Sequence, residues 1–211
     1  MKNENSLPVR NPGALLLAVM LACLRLSAFG ESRAPAPPAS AVPAVGENSS
    51  ASVYNLDDVW TDQDGKPARP GDFKGDVVVL AMFFTSCEYA CPRIVADMQA
   101  IAARVPEELA PHVHYLLASF DTARDLPARL KLYAAAHTLP AERWTLLHGD
   151  EEAVQSLAAV LGVKYQKEAN GNYGHSMQIT VLDRRGEMVH QQEGLGSNPQ
   201  EAVQAILRSA K

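Results

Sequence analysis

Apolar residues along this 211-residue chain fall into blocks with different periods, and the periods predict the elements. From Val53, "VYNLDDVWTDQDGKPA" carries two short strand-like pieces around the turn pair Asp64-Gly65, so a hairpin is expected. "VVVLAMFF" (Val77–Phe84) is an uninterrupted β-branched and aromatic run, the pattern of a central strand covered on both faces. Ile94, Val95, Met98, Ile101, Ala102 and Val105 then recur at helical spacing. "VHYLLASF" (Val113–Phe120) predicts a second buried strand, "LPARLKLYAAAH" (Leu126–His137) a second helix, and "WTLLHG" a short third strand. "DEEAVQSLAAVLG" (Asp150–Gly162) opens with acids that suit the positive end of a helix and closes on glycine. "MQITVLD" and "EMVHQQ", either side of "RRG", predict a closing hairpin. "NPQEAVQAILRSA" predicts a last helix with Asn198 as N-cap and Pro199 in its first turn.

Strands alternating with helices imply an α/β fold. The expected architecture is thioredoxin-like: a mixed central sheet flanked by helices on both faces, with an N-terminal hairpin and an inserted βα segment. In such sheets the site lies where the central strands end, which here is the stretch after Phe84.

The N-terminus has a different character. Lys2 and Arg10 precede the apolar "ALLLAVMLACL" (Ala14–Leu24), and small residues stand at Ala28 and Gly30 before Glu31. This pattern is that of an export signal, too short to span a bilayer comfortably. The alternatives are an uncleaved membrane anchor and a lipoprotein, since "VMLAC" resembles a lipobox ending at Cys23. Residues 31–52 are rich in Ala, Pro and Ser without apolar period and form an expected disordered linker. The expected division is therefore 1–30 signal or anchor, 31–52 linker and 53–211 folded domain, with the domain in the periplasm, free or tethered to the inner membrane. The net charge of −5 and the scattered Lys and Arg residues exclude a nucleic-acid-binding face.

Export makes the cysteine count informative. With Cys23 in the targeting segment, the domain holds Cys87 and Cys91 alone, in "FFTSCEYACPRIVADM". One close pair cannot be a stapling framework. Pro92 disfavours helix in the residue before it and suits a first helical turn. Cys91 is thus expected near an N-cap, after a non-helical loop, with both sulfurs partly exposed and thiolate-prone. Three uses stay open: an inert disulfide, dithiol exchange, or a grip on a soft metal. An inert bridge gains little, because so short a loop removes little chain entropy.

A metal needs a further ligand, and six histidines are available. His112 and His114 sit at the start of a strand, His137 and His148 at a helix end and a loop, and His190 on the closing hairpin, expected to face solvent. His175, after "NGNYG" and directly before "MQITVLD", lies where a thioredoxin-like fold brings a loop against the cysteines. Cys87, Cys91 and His175 would make a soft site suited to copper, and to zinc with a fourth ligand. Met177 on the same strand face reads as core.

"TSCEYACP", "SFDTARDLPARLKLYA" and "GHSMQITVLDRRGE" together resemble the SCO/SenC (PrrC-like) family over most of the chain from Val53 onward. The resemblance implies a thioredoxin-fold copper protein involved in building the CuA centre of cytochrome c oxidase, with Cys87, Cys91 and His175 as copper ligands. It implies subunit II of the oxidase or another copper-site protein as partner, and a copper donor upstream. Asp121 would correspond to an acidic residue near the site, in a supporting or docking role, although Asp121 and Asp125 could equally cap the helix near Leu126. The chain departs from the family pattern at Gly174, often an acid, at Ser86, often a histidine, and at "EYA" between the cysteines. The expected function is a metallochaperone rather than an enzyme. The alternative is a thiol–disulfide oxidoreductase that keeps the partner's metal-site cysteines reduced, with Cys87 and Cys91 as its redox-active pair. A peroxiredoxin-like peroxidase has Thr85 and Arg93 in its favour and lacks the expected upstream proline. A non-catalytic interaction domain is the remaining reading.

Overall fold

The computed structural model describes residues 50–169 and 171–211. The expected signal or anchor, and nearly all of the expected linker, lie outside the described residues. Among the described residues no helix is long and apolar enough to cross a membrane.

Among the described residues a short 3-10 turn, Val53–Asn55, precedes the predicted hairpin, β1 (Trp60–Asp62) and β2 (Pro67–Ala68), turning at Gly65. The apolar run forms β3 (Val77–Phe83), all seven residues of which are buried. Burial on both faces is what the absence of polar alternation requires. Helix α1 (Ala90–Ala102) returns the chain to β4 (Val113–Ser119), which pairs parallel with β3 from Val77↔Val113 to Phe83↔Ser119. Helix α2 (Pro127–Ala136) leads to β5 (Trp144–His148), parallel to β4, and α3 (Glu151–Leu161) follows. In α3 Asp150 caps the start by accepting from Ala153 N–H, and Gly162 closes the end in the left-handed conformation.

Two further short strands, β6 (Tyr165–Lys167) and β7 (Tyr173–His175), form an antiparallel ribbon outside the main sheet. The predicted closing hairpin is β8 (Gln178–Leu182) and β9 (Met188–Glu193), and α4 (Gln200–Ser209) ends the fold. Asn198 Oδ1 does accept from Gln200 N–H, but Pro199 takes the N-cap position, one residue later than expected.

The seven-stranded sheet runs β2-β1-β5-β4-β3-β8-β9, parallel across β5-β4-β3 and antiparallel on either side. Helices α1 and α4 touch each other and pack on β3, β8 and β9, while α2 packs on β5. Between β4 and β5 the rings of Tyr115 and Trp144 stack with centroids 4.7 Å apart.

This topology fixes the position of the site. Strands β3 and β4 finish side by side, and Phe120 N–H donates to Phe83 C=O just beyond their ends. Strand β8 runs the opposite way, with Ile179 opposite Ala81, so the residues preceding β8 are delivered past the end of β3. The N-terminal segment is fastened at the other pole. Val53 N–H and Ser52 Oγ–H donate to the carbonyls of Gly186 and Arg185 in the β8–β9 turn. Tyr54 lies over Gly186, which has φ +79° and where a Cβ would come 2.5 Å from the Tyr54 ring.

Candidate metal centre

Three segments converge beyond the ends of β3 and β4: the turn Thr85–Tyr89, the loop from Phe120 to Leu126, and the β6–β7 ribbon. The turn bends where Cys87 N–H donates to Phe84 C=O at 3.3 Å. Helix α1 begins at Ala90, so Cys91 is its second residue and Pro92 its third, two residues earlier than the proline suggested. The first four N–H groups of a helix have no partner within it, so proline fits throughout the first turn.

That shift alters the character of both sulfurs. Cys91 faces the core, is 0% exposed, and has its thiol pushed up above the ordinary range by burial. The expectation of two partly exposed, thiolate-prone sulfurs therefore holds for Cys87 alone. Cys87 is half-buried, and its Sγ accepts Cys91 N–H at 3.3 Å. Partial burial disfavours its thiolate, but the N–H groups of Cys91, Tyr89 and Ala90 outweigh that and lower its pKa. The helix N-terminus thus serves the cysteine outside the helix. Both cysteines are free thiols.

His175 ends β7, opposite Tyr165, where a loop was expected. Its Nδ1 lies 3.0 Å from Ser176 C=O. A carbonyl only accepts, so Nδ1 carries the proton and Nε2 presents its lone pair. Nε2 lies 3.8 Å from Cys91 Sγ. Burial lowers the imidazole pKa, and the bond to Ser176 only partly opposes this, which keeps Nε2 free of a second proton at neutral pH. The ring is held edge-on to Phe120, with centroids 4.8 Å apart, and to Phe84 at 5.9 Å. Tyr165 stacks on Phe120 at 5.4 Å and Tyr173 meets it at 5.1 Å, so the ribbon sits on an aromatic bed.

The separation of Cys91 Sγ and His175 Nε2 passes a simple test of fit. Bonds of about 2.3 Å to sulfur and 2.1 Å to nitrogen, opened to about 120°, place the two atoms about 3.8 Å apart. Among the described residues, no three His, Cys, Asp or Glu side chains are already gathered as a formed metal site. Cys87 Sγ, on the turn before the helix, is engaged by Cys91 N–H.

Asp121 and Asp125 do not cap α2, whose N-cap is Leu126 without a side-chain bond. Asp125, 0% exposed, accepts from Thr85 N–H at 2.8 Å, from Thr85 Oγ1–H, and from Ser119 Oγ–H at 2.6 Å, with Arg129 Nε 3.7 Å away. It therefore braces the turn leading to Cys87. Asp121, 1% exposed, pairs with Arg124 Nε and accepts Arg124 N–H. It stands beside the site without touching either sulfur. Sequence reasoning missed the bracing by Thr85, Ser119 and Arg124 and the aromatic bed. Their only signal was an apolar-acidic pattern, Phe120-Asp121 and Asp125, which also suits helix capping.

The other histidines stay away from the site. His112 Nδ1 and His114 Nε2 each lie 3.1 Å from a different oxygen of Asp76, at the far end of the sheet. His137 rests on the ring of Tyr133, and burial lowers its pKa. His190 is half-buried with Nε2 shut off from solvent, contrary to its expected exposure. Met177 packs against the core, as its pattern predicted.

A thioredoxin-like sheet that delivers a dithiol and an imidazole to the end of its central strands defines a thiol- and metal-handling class of protein. The sequence profile of the family described as SCO1/SenC matches residues 49–211, and the chain belongs to that family. A Bacillus subtilis protein described as a SCO1 protein homolog is 26% identical over 157 residues, covering 72% of this chain and 79% of its own. A Stutzerimonas stutzeri protein named "Putative copper-binding protein" is 28% identical over 131 residues, covering 60% of this chain and 63% of its own length. Among solved structures, a SCO1/SenC family lipoprotein from Bacillus anthracis superposes with a TM-score of 0.67 at 27% identity, covering 72% of this chain and 92% of its own.

Proposed function

We propose that this protein is an exported copper-binding assembly factor. It takes copper on Cys87, Cys91 and His175 and passes it to the CuA site on subunit II of a cytochrome c oxidase. The observation that carries this reading is the 3.8 Å approach of His175 Nε2 to Cys91 Sγ, with the proton of the ring committed to Ser176. A dithiol enzyme needs no imidazole held in that tautomer, whereas a soft metal ion needs a neutral nitrogen beside its thiolates. The name of the Stutzerimonas relative supports the choice of copper. The N-terminal apolar run, and the lipoprotein description of the Bacillus anthracis relative, support a periplasmic domain, cleaved or tethered.

The chemistry follows from the two unlike thiols. Cys87, half-exposed and served by helix N–H groups, is the thiolate that meets the cargo and later faces the acceptor. Burial disfavours the Cys91 anion, so in copper binding its proton leaves as the cation takes its place. His175 completes the set without a change of protonation. Three protein ligands leave an approach open for the ligand of a partner. Tyr89, 81% exposed between the cysteines, flanks that approach.

The same asymmetry favours one second reading, dithiol reduction. Cys87 thiolate would attack a partner disulfide and release one partner thiolate. Cys91, passing its proton to the partner thiolate already released, would then attack the mixed disulfide, release the second thiolate, and leave a Cys87–Cys91 disulfide, so that two electrons pass to the partner. The test mixes the copper-loaded, reduced chain with a metal-free CuA domain in two states. Copper gained by the reduced CuA domain, with the factor's dithiol intact, supports delivery. Reduction of the oxidised CuA domain with no metal transferred to the reduced one would replace delivery with the second reading.

A further inference from the structure

The ribbon that carries His175 is not hydrogen-bonded into the seven-stranded sheet: its base, where His175 faces Tyr165, runs into β8 through Ser176 and Met177, and its tip must be held by other contacts. One face rests on the aromatic bed, which fixes contact but not register. The tip is fixed differently. Arg124 Nη2–H donates to Gly171 C=O at 2.6 Å, in the turn between β6 and β7. Its Nε–H goes to Asp121, whose carboxylate is buried and whose own N–H donates to Ser119 Oγ at 3.0 Å. Ser119 Oγ–H donates in turn to Asp125, and Asp125 holds Thr85, two residues before Cys87. A single loop thereby links the tip of the histidine ribbon to the cysteine turn through an unbroken run of hydrogen bonds.

We propose that Arg124 is a positioning residue for the metal centre: its guanidinium latches the β6–β7 ribbon at Gly171 and so sets the reach of His175 toward Cys91. This rests on the reading of His175 as a ligand. The planar fork matters, because one edge must serve Asp121 while another N–H reaches the carbonyl. Neither Asp121 nor Arg124 touches a sulfur in this arrangement; both act through the ribbon. Arg124 is 40% exposed, so its removal leaves no buried cavity; it does leave the buried Asp121 carboxylate with Arg124 N–H as its remaining bond from that residue, and Arg124→Lys restores a cation there.

The test compares the full-length chain with Arg124→Ala, Arg124→Lys, His175→Ala and the Arg124→Ala/His175→Ala double variant. Cu(I) affinity is read by competition with a chelator, and the His175 ring protons by NMR in the metal-free, reduced state. Arg124→Ala is expected to weaken Cu(I) binding about 10-fold, the low end of what losing a ligand's own hydrogen-bond partner costs, because Arg124 holds the ribbon and not the imidazole itself. Lysine, lacking the fork, should fall with alanine. The double variant should bind no more weakly than His175→Ala alone, because the latch acts only through that histidine. The His175 ring protons, shifted by the Phe120 and Phe84 rings, should move toward their free values in Arg124→Ala even without metal. Additive losses in the double variant, or Arg124→Ala binding within twofold of wild type while His175→Ala fails, would overturn the latch and leave the ligand reading standing. Should His175→Ala bind as wild type, the ligand reading itself falls. Unmoved His175 resonances in Arg124→Ala would then reject the latch as well.

Discussion

Replacing Asp125 by alanine should destabilise the fold far more than a surface carboxylate would, and the amount can be worked from its partners. The side chain is 0% exposed and accepts from Thr85 N–H, Thr85 Oγ1–H and Ser119 Oγ–H. Arg129, half in solvent, loses only a 3.7 Å ion pair that water replaces, and it keeps its bond to Thr85 Oγ1. The Thr85 hydroxyl proton, on a half-buried side chain, turns to water. Thr85 N–H and Ser119 Oγ–H are left without their acceptor. Two such groups, at about 1–3 kcal/mol each, give a loss of about 4 kcal/mol. That is a large share of a total stability of about 5–15 kcal/mol. With a urea slope of about 2 kcal/mol per molar, the unfolding midpoint of the reduced, metal-free protein falls by about 2 M. Asp125→Asn keeps one acceptor oxygen but turns an NH2 toward a donor, so its midpoint should lie between the two. A shift of less than about 0.5 M at unchanged slope would refute the reasoning, since it would mean water or rotation satisfies both stranded donors.

Two further predictions address the poles of the domain. Gly186→Ala combines φ +79° with a Cβ 2.5 Å from the Tyr54 ring. It should cost about 2 kcal/mol or more. Thermal unfolding should fall by about 4–8 °C, and an unchanged midpoint would mean that the Ser52–Tyr54 fastening contributes nothing. At the other pole, iodoacetamide should react with Cys87 in Cys91→Ser along a pH curve centred below the usual thiol value of about 8.5. The sign follows from the N–H groups that lower its pKa: thiolate is reached at lower pH, so the curve moves down the scale. Cys91 in Cys87→Ser, raised by burial, should stay almost unreactive up to about pH 9, where an ordinary thiol is mostly ionised. The reverse order of reactivity would contradict the assignment of Cys87 as the exposed thiolate.

How much of this could be read from the chain depends on which interactions are local. Strands β3 and β4 were legible because a strand buried on both faces has to be apolar throughout, and α3 because Asp150 and Gly162 mark its ends in the sequence. The ribbon was not. Tyr165–Lys167 and Tyr173–His175 are three residues each, and Asn172 and Gly174 beside them resemble an ordinary loop. What holds the ribbon is contact with Phe120 and a bond to Arg124, residues about 40 to 50 positions away in sequence, and no local pattern reports such pairings. Cys91 was misread for a related reason. Proline limits only its neighbour's backbone, whereas the direction in which Cys91 faces is set by the packing of α1 on the sheet. The identities of Cys87, Cys91 and His175 as candidates came from chemistry and spacing. The polar bracing beneath them came only from the fold.

The central claim, that Cys87, Cys91 and His175 act together as one copper site, is tested most directly by anaerobic Cu(I) titration of the reduced chain beside His175→Ala. The account predicts one copper per chain, bound tightly in competition with a chelator, and a clear loss of affinity in the variant. Binding that is indifferent to His175, or no binding under competition, would contradict it and leave dithiol exchange as the function of the pair.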